Sequence, residues 1–105
     1  MIWQDEVNKA RQIRARKNDF KFGVIGINGD EKIPFIYDWI WALESGLYKV
    51  EIKDKKGFVD TLGVVVIPIL YDNIDEFDSR GRARAFRNNS YVYIDKKGVE
   101  YNYYC

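Results

Sequence analysis

The sequence predicts a mainly β fold: antiparallel β-meander repeats of about eight short strands, solenoid-like or a partial barrel, with one N-terminal α-helix. Three observations carry this. The 105 residues include eight tyrosines, six phenylalanines and three tryptophans, residue types that favour strands. A segment recurs at a spacing of 34 to 35 residues, a period that marks repeat architectures. Tetrads of the form Asp-x-x-Gly punctuate the chain at Asp54–Gly57, Asp60–Gly63, Asp78–Gly81 and Asp95–Gly98; Asp first and Gly fourth suit a type I turn ending in a left-handed residue.

The elements follow in order. Trp3, Val7, Ala10 and Ile13 or Arg14 fall at helical spacing, with Asp5 and Glu6 early and Arg11, Arg14, Arg16 and Lys17 late. Acid first and base last complements a helix dipole, so residues 3–17 read as an amphipathic helix. Residues 1–20 are expected to cap a β-repeat region over 21–105, the two making one domain. Strands are expected at 22–27, 32–36, 47–53, 57–61, 64–68, 82–87, 90–95 and 99–104. The clearest is 47–53, where Tyr48, Val50 and Ile52 alternate with Lys49, Glu51 and Lys53, as in a half-buried strand. Asn88-Asn89 is a further turn candidate.

Sliding the chain by 34 positions places Gly23 on Gly57, Gly29 on Gly63, Ile33 on Ile67, Pro34 on Pro68, Tyr37 on Tyr71, Asp38 on Asp72 and Ile40 on Ile74. A slide of 35 brings Asp60 onto Asp95 and Gly63 onto Gly98. The units are therefore about 22–56 and 57–90, with a partial third over 91–105. Pro34 and Pro68 lack an N–H and belong at a strand end or edge. Tyr37 and Tyr71 can bury a ring while the hydroxyl finds a partner. Asp38 and Asp72 are expected to close an Asx turn or cap a short helical turn.

The pattern resembles the bacterial WG-repeat family, whose unit reads approximately Trp-Gly-hydrophobic-Ile-Asp-x-x-Gly-x-x-Ile-Pro-x-x-Tyr-Asp. The clearest unit here runs from Gly57 through Asp60, Gly63, Ile67 and Pro68 to Tyr71 and Asp72. The tryptophan position is occupied by Phe22, Lys56 and Tyr91, and Val92 replaces the third glycine. The resemblance implies an interaction scaffold and supplies no catalytic residues.

Composition narrows function further. Histidine is absent and Cys105 is the single cysteine, which removes the commonest general base and the usual structural zinc sets. No phosphate loop or dinucleotide fingerprint is present. Asp60 and Asp95 read as turn-formers rather than as paired catalytic carboxylates, because they occupy the same repeat position. No catalytic residue, metal or cofactor is expected. The longest apolar run, Leu62 to Tyr71, is broken by Gly63 and Pro68 and is too short to span a bilayer. Without a signal-like opening, Asn88-Asn89-Ser90 reads as a turn rather than a glycosylation site, and a reducing, cytoplasmic setting is expected.

Binding candidates remain. Arg80, Arg82, Arg84 and Arg87 make the most distinctive polar segment; on a strand Arg82 and Arg84 point one way and Ala83 and Ala85 the other, which makes a basic stripe. Its readings, in order, are a solvated face, contact with a protein, and contact with nucleic-acid phosphate. Asp72, Asp75, Glu76 and Asp78 lie just upstream and suggest local pairing or contacts between copies. Trp39 and Trp41 are extra to the repeat, filling core beneath the helix or forming a surface hot spot. Tyr101, Tyr103 and Tyr104 give an aromatic, strand-prone tail that could leave a sheet edge open to another chain. The leading expectation is a protein-interaction module, self-associating, with nucleic-acid binding as the alternative and no membrane role.

Overall fold

The computed structural model describes residues 3–6, 13–16, 21–43 and 45–102. These form three open, four-stranded antiparallel sheets in succession. Sheet one holds β1 (Trp3–Glu6), β2 (Ile13–Arg16), β3 (Phe22–Ile25) and β4 (Glu31–Tyr37). Sheet two holds β5 (Trp39–Ala42), β6 (Tyr48–Ile52), β7 (Lys55–Val59) and β8 (Val65–Tyr71). Sheet three holds β9 (Asn73–Ile74), β10 (Arg82–Arg87), β11 (Ser90–Asp95) and β12 (Glu100–Asn102). The strand order is sequential in each sheet and none closes on itself, which gives a stack of meanders and not a barrel.

Each of the eight expected strands has a counterpart, and four more are present. The helix expected over 3–17 is corrected where its residues are described. Trp3–Glu6 and Ile13–Arg16 are extended and pair as a hairpin, with Asp5 opposite Arg14. The apolar residues spaced at 3.6 invited the helical reading, but β3 needs a partner strand on its open edge, and β2 supplies it with Arg14 opposite Val24. Tertiary pairing overrides weak local periodicity here. Cys105, Tyr103 and Tyr104 lie outside the described residues.

A repeat unit does not coincide with a sheet. The chain leaves sheet one at Asp38 and enters sheet two at Trp39; it leaves sheet two at Asp72 and enters sheet three at Asn73. Sheets two and three thus each join strands of one unit to strands of the next, while in sheet one β1 and β2 precede the first unit. The expected Asx or helical turn at these aspartates is replaced by a crossover. The Asp38 N–H donates to the Glu51 carbonyl at 2.8 Å, and the Asp72 N–H to that of Phe86 at 2.8 Å. The Asp38 carboxylate accepts the Lys53 N–H at 2.8 Å and pairs with Lys21; Asp72 pairs with Lys55. Asp38 therefore caps the distant β6–β7 turn, where Lys53 and Asp54 have φ of 51° and 69°.

That turn corrects a second expectation. Asp54-Lys-Lys-Gly57 is not a hairpin tetrad, because the two-residue turn is Lys53-Asp54 and Gly57 lies inside β7. Asn88-Asn89, with φ of 52° and 62°, makes the corresponding turn in the next unit, as a two-residue hairpin with both φ positive requires. The other three tetrads are turns as read. The Gly63 N–H donates to the Asp60 carbonyl at 3.0 Å, while the Asp60 carboxylate accepts the N–H groups of Leu62 at 2.9 Å and Val64 at 3.0 Å. Asp78 and Asp95 repeat the pattern.

The core lies between layers. Phe22, Val24, Ile33 and Tyr37 of sheet one meet Ile40, Tyr48, Val50 and Val59 of sheet two. Phe58, Ile67 and Tyr71 of sheet two meet Ile74, Ala83, Ala85 and Ile94 of sheet three. Val24 and Tyr48 occupy the same repeat positions as Phe58 and Ala83, so bulk moves from one layer to the other. Phe77 helps to fill the second core, edge-on to Phe58 at 5.4 Å. The two interlayer cores are thus filled by different residues at matching repeat positions.

The repeat glycine answers a close approach. The β7–β8 register jumps between Lys56–Tyr71 and Phe58–Ile67, so β8 bulges toward Gly57. A Cβ on Gly57 would stand 2.5 Å from the Ile67 carbonyl oxygen, and one on Gly23 would stand 2.6 Å from that of Ile33. In the third unit, where Val92 replaces glycine, β11 and β12 pair with no register shift, Val92 opposite Asn102 and Tyr93 opposite Tyr101. Among the described residues, the register shift accompanies the glycine in the first two units and is not seen beside Val92.

Replacing Gly57 by alanine should therefore cost about 3 kcal/mol in urea unfolding, because backbone atoms block the methyl group. Replacing Gly29, at φ 89° with nothing near its Cβ position, should cost about 1 kcal/mol of backbone strain alone. Equal losses would refute the close-approach account.

Candidate functional site: the outer face of sheet three

The stacking rule identifies the face of interest. One face of sheet two, with Ile40, Val50 and Val59, packs on sheet one; the other, with Phe58, packs on sheet three. Sheet three uses Ile74, Ala83, Ala85 and Ile94 inward. Its other face carries Asn73, Asp75, Arg84, Phe86 and Tyr91. Between these side chains lies an open cleft of about 180 Å³, lined by Asn73, Asp75, Arg84, Ala85, Phe86 and Tyr91.

Alternation along β10 decides which arginines reach that face. Ala83 and Ala85 are buried, and Arg84 between them projects outward. Its Nε donates to the Asp75 carboxylate at 3.1 Å, and its guanidinium lies 4.9 Å from the centre of the Tyr91 ring. Phe86 and Tyr91 are directly opposite across the strands, with ring centres 4.9 Å apart. The cleft thus offers a guanidinium, a carboxylate, an amide and two rings, a set suited to holding a polypeptide.

Of the other strand arginines, Arg82 shares the outer face with Arg84, since Tyr101 pairs with Tyr93 opposite Arg84, while Arg87 lies on the opposite face. Arg82 stacks over Tyr101 at 4.2 Å, and the Tyr101 hydroxyl donates to Asp95 at 2.9 Å. Arg87 makes two hydrogen bonds to Glu100, at 2.8 and 2.9 Å; the buried Tyr71 also donates its hydroxyl to Glu100. This three-residue clamp ties β8 of sheet two to β10 and β12 of sheet three. Arg80 lies at the exposed tip of the Asp78–Gly81 turn. Local pairing with Asp75 is as the sequence suggested; Glu100 was missed, because a pair between Arg87 and a residue two strands away has no local sequence signal.

Trp39 and Trp41 are half-buried, between the two expectations made for them. Trp39 packs edge-on against Phe22 at 4.6 Å, and Trp41 sits 6.3 Å from Trp39. The helix expected to cover them is replaced by β2, whose Arg14 lies 4.9 Å from the Trp39 ring centre and donates to the Ile40 carbonyl at 2.7 Å. Lys49 lies 5.1 Å from the Trp41 ring centre and donates to the Asn73 side chain at 2.9 Å, linking the tryptophans to the rim of the cleft. Burial, and then the like charge of Lys56, pull the Lys49 ammonium below the ordinary lysine range. Asn73 was not predicted as a cleft residue, because its convergence with Phe86 and Tyr91 depends on strand register.

Burial and the Glu100 hydrogen bond push the Tyr71 hydroxyl up to about 12. Glu100 moves the other way, lowered first by Arg87 and then by Tyr71. Asp78 and Asp95 are also lowered, chiefly by the backbone N–H groups of Arg82 and Val99. Among the described residues no group of three or more Cys, Asp or Glu side chains is arranged to hold a metal. No helix among them is long and apolar enough to cross a membrane.

A family model described as WG containing repeat matches residues 22–55 and 57–91, together more than half of the chain. Comparison with curated proteins and with solved structures finds no match. The two matched segments each run from the glycine-bearing strand through the Ile-Pro strand and the aspartate crossover into the next sheet.

The lowered Glu100 makes a signed pH prediction. Its contribution is fully present above the unfolded carboxylate value of about 4.5 and is lost as pH falls through the folded value. Glu100→Gln should destabilise the protein by about 1 kcal/mol near pH 7. The gap between variant and parent should narrow only as pH falls below the unfolded value and close once pH has passed below the folded one. A gap that persists unchanged in acid, measured by urea titration at both pH values, would rule out the clamp as an ionic one.

Proposed function

The chain belongs to the WG-containing-repeat family, and from that premise we propose that it is a non-enzymatic protein-interaction module that self-associates. The observation that carries the reading is the outer face of sheet three. It has the position of a stacking face, yet it bears Asp75, Arg84 and Tyr91 in exposed positions. Exposed aromatic and arginine side chains on a rigid sheet are the usual anchors of a protein contact. The two carboxylates that share a repeat position are engaged in turns. Those of Asp60 and Asp95 each accept two turn N–H groups.

Self-association is supported by β12, the edge strand of sheet three, because an edge strand can add a strand from another chain. A reducing, cytoplasmic setting suits a chain with one cysteine. Pairing of Arg84 and Arg87 with carboxylates favours protein over nucleic acid, since counterion release needs cations not already neutralised.

Light scattering over a wide concentration range should show mass rising with concentration. A strict monomer throughout would overturn self-association. An oligonucleotide mobility shift at low salt that is lost on joint replacement of Arg82, Arg84 and Arg87 by alanine would transfer the reading to nucleic acid.

A further inference from the structure

Each layer of this fold holds the entering corner of the next layer with two side chains. The first comes from the second strand of a sheet, the other from the third. In sheet one these are Arg14, opposite Val24, and Phe22. They hold the corner at Trp39 and Ile40: Arg14 donates to the Ile40 carbonyl and covers the Trp39 ring, while Phe22 meets that ring edge-on. In sheet two the same positions are Lys49, opposite Phe58, and Lys56. They hold the corner at Asp72 and Asn73: Lys49 donates to the Asn73 side chain, and Lys56 to the Asp72 carbonyl at 3.1 Å. In sheet three the positions fall on Arg84, opposite Tyr93, and Tyr91. These two residues line the cleft.

We propose that the cleft on sheet three is a receptor for an extended segment of a partner protein that presents an aromatic side chain followed by a backbone carbonyl. The choice of occupant follows from comparing the three pairs. A lysine pair holds a polar corner through oxygen atoms. An arginine with an aromatic ring holds a tryptophan corner. Arg84 with Tyr91 is of the second kind, so the cleft selects an aromatic corner. Ser90 stands where Lys21 and Lys55 pair with Asp38 and Asp72, so the third layer lacks the lysine that reads an acid at the corner. Tyr91 is 47% exposed, and the Arg84 and Asp75 side chains are 45% and 48% exposed, so a ligand reaches them without unfolding. A second copy cannot supply its own tryptophan corner, because Ile40 is fully buried. The proposal rests on the interaction-module reading and gives that module a recognition site.

The probe is a peptide of residues 36–42, Ile-Tyr-Asp-Trp-Ile-Trp-Ala, titrated into the whole isotope-labelled chain and followed by NMR. The control peptide is residues 70–76, Leu-Tyr-Asp-Asn-Ile-Asp-Glu, the polar corner. The aromatic peptide should bind at least tenfold more tightly, with shifts centred on Arg84, Phe86 and Tyr91. Arg84→Ala should remove that preference while leaving the amide spectrum of the core unchanged. Because Arg84 projects from a strand anchored by Ala83 and Ala85, the variant should fold; Tyr91→Ala provides an independent second loss. Equal binding of the two peptides, or shifts elsewhere on the chain, would overturn the receptor. If the chain captures a protein whose binding survives Arg84→Ala, the receptor falls while the module reading stands. If mass stays monomeric but the aromatic peptide still titrates into the cleft, self-association falls and the receptor stands.

Discussion

No sheet in this chain is completed by a single repeat. The crossovers at Asp38 and Asp72 send the second half of each unit into the next layer, so sheets two and three depend on hydrogen bonds between successive units, and sheet one on those between the first unit and the strands before it. This shared-sheet constraint explains why a unit of about 35 residues is not a folding unit. Two strands alone are marginal in water, and each gains a buried face only when its neighbours are in place. The crossover aspartates serve the constraint twice. Their backbone joins the new sheet, and their carboxylates hold lysines of the sheet being left or of the turn beside it.

Stacking then follows from the constraint. Once the second hairpin of a unit lies in the next layer, the Ile-Pro strand of the first is left at a sheet edge, with its proline exposed. The turn of the following unit rests there: a Cβ on Gly63 would lie 3.1 Å from the Lys32 carbonyl oxygen and 3.4 Å from Pro34, and one on Gly98 would lie 3.3 Å from that of Val66. A proline cannot recruit another strand through an N–H, and the turn covers carbonyls beside it. The same translation that builds the core also protects the edges.

The candidate site was only partly legible. Arg84 was readable because strict alternation with Ala83 and Ala85 sets its side. Arg82 shares that side, but the grouping with Arg87 was not readable, because Arg87 turns to the other face and answers to Glu100 two strands away. Tyr91 looked like a degenerate copy of a repeat tryptophan. In the structure that position faces the following corner at Phe22 and Lys56, and at Tyr91 it lines the cleft. The N-terminal hairpin was misread for a related reason. Four apolar residues at helical spacing carry little energy against a strand edge that must be paired.

By itself the sequence determined the period, three of the four Asp-x-x-Gly turns it suggested, the Asn-Asn turn and the repeated Ile and Tyr positions. All of these rest on interactions within a few residues, or on alternation along one strand. Only the tertiary structure decided which hairpins share a sheet, that residues 3–6 and 13–16 are strands, and which face of sheet three remains open. Those outcomes depend on pairings and packing between separate strands and layers, whose energy comes from covering neighbouring edges and faces. Such partners leave no pattern along the chain.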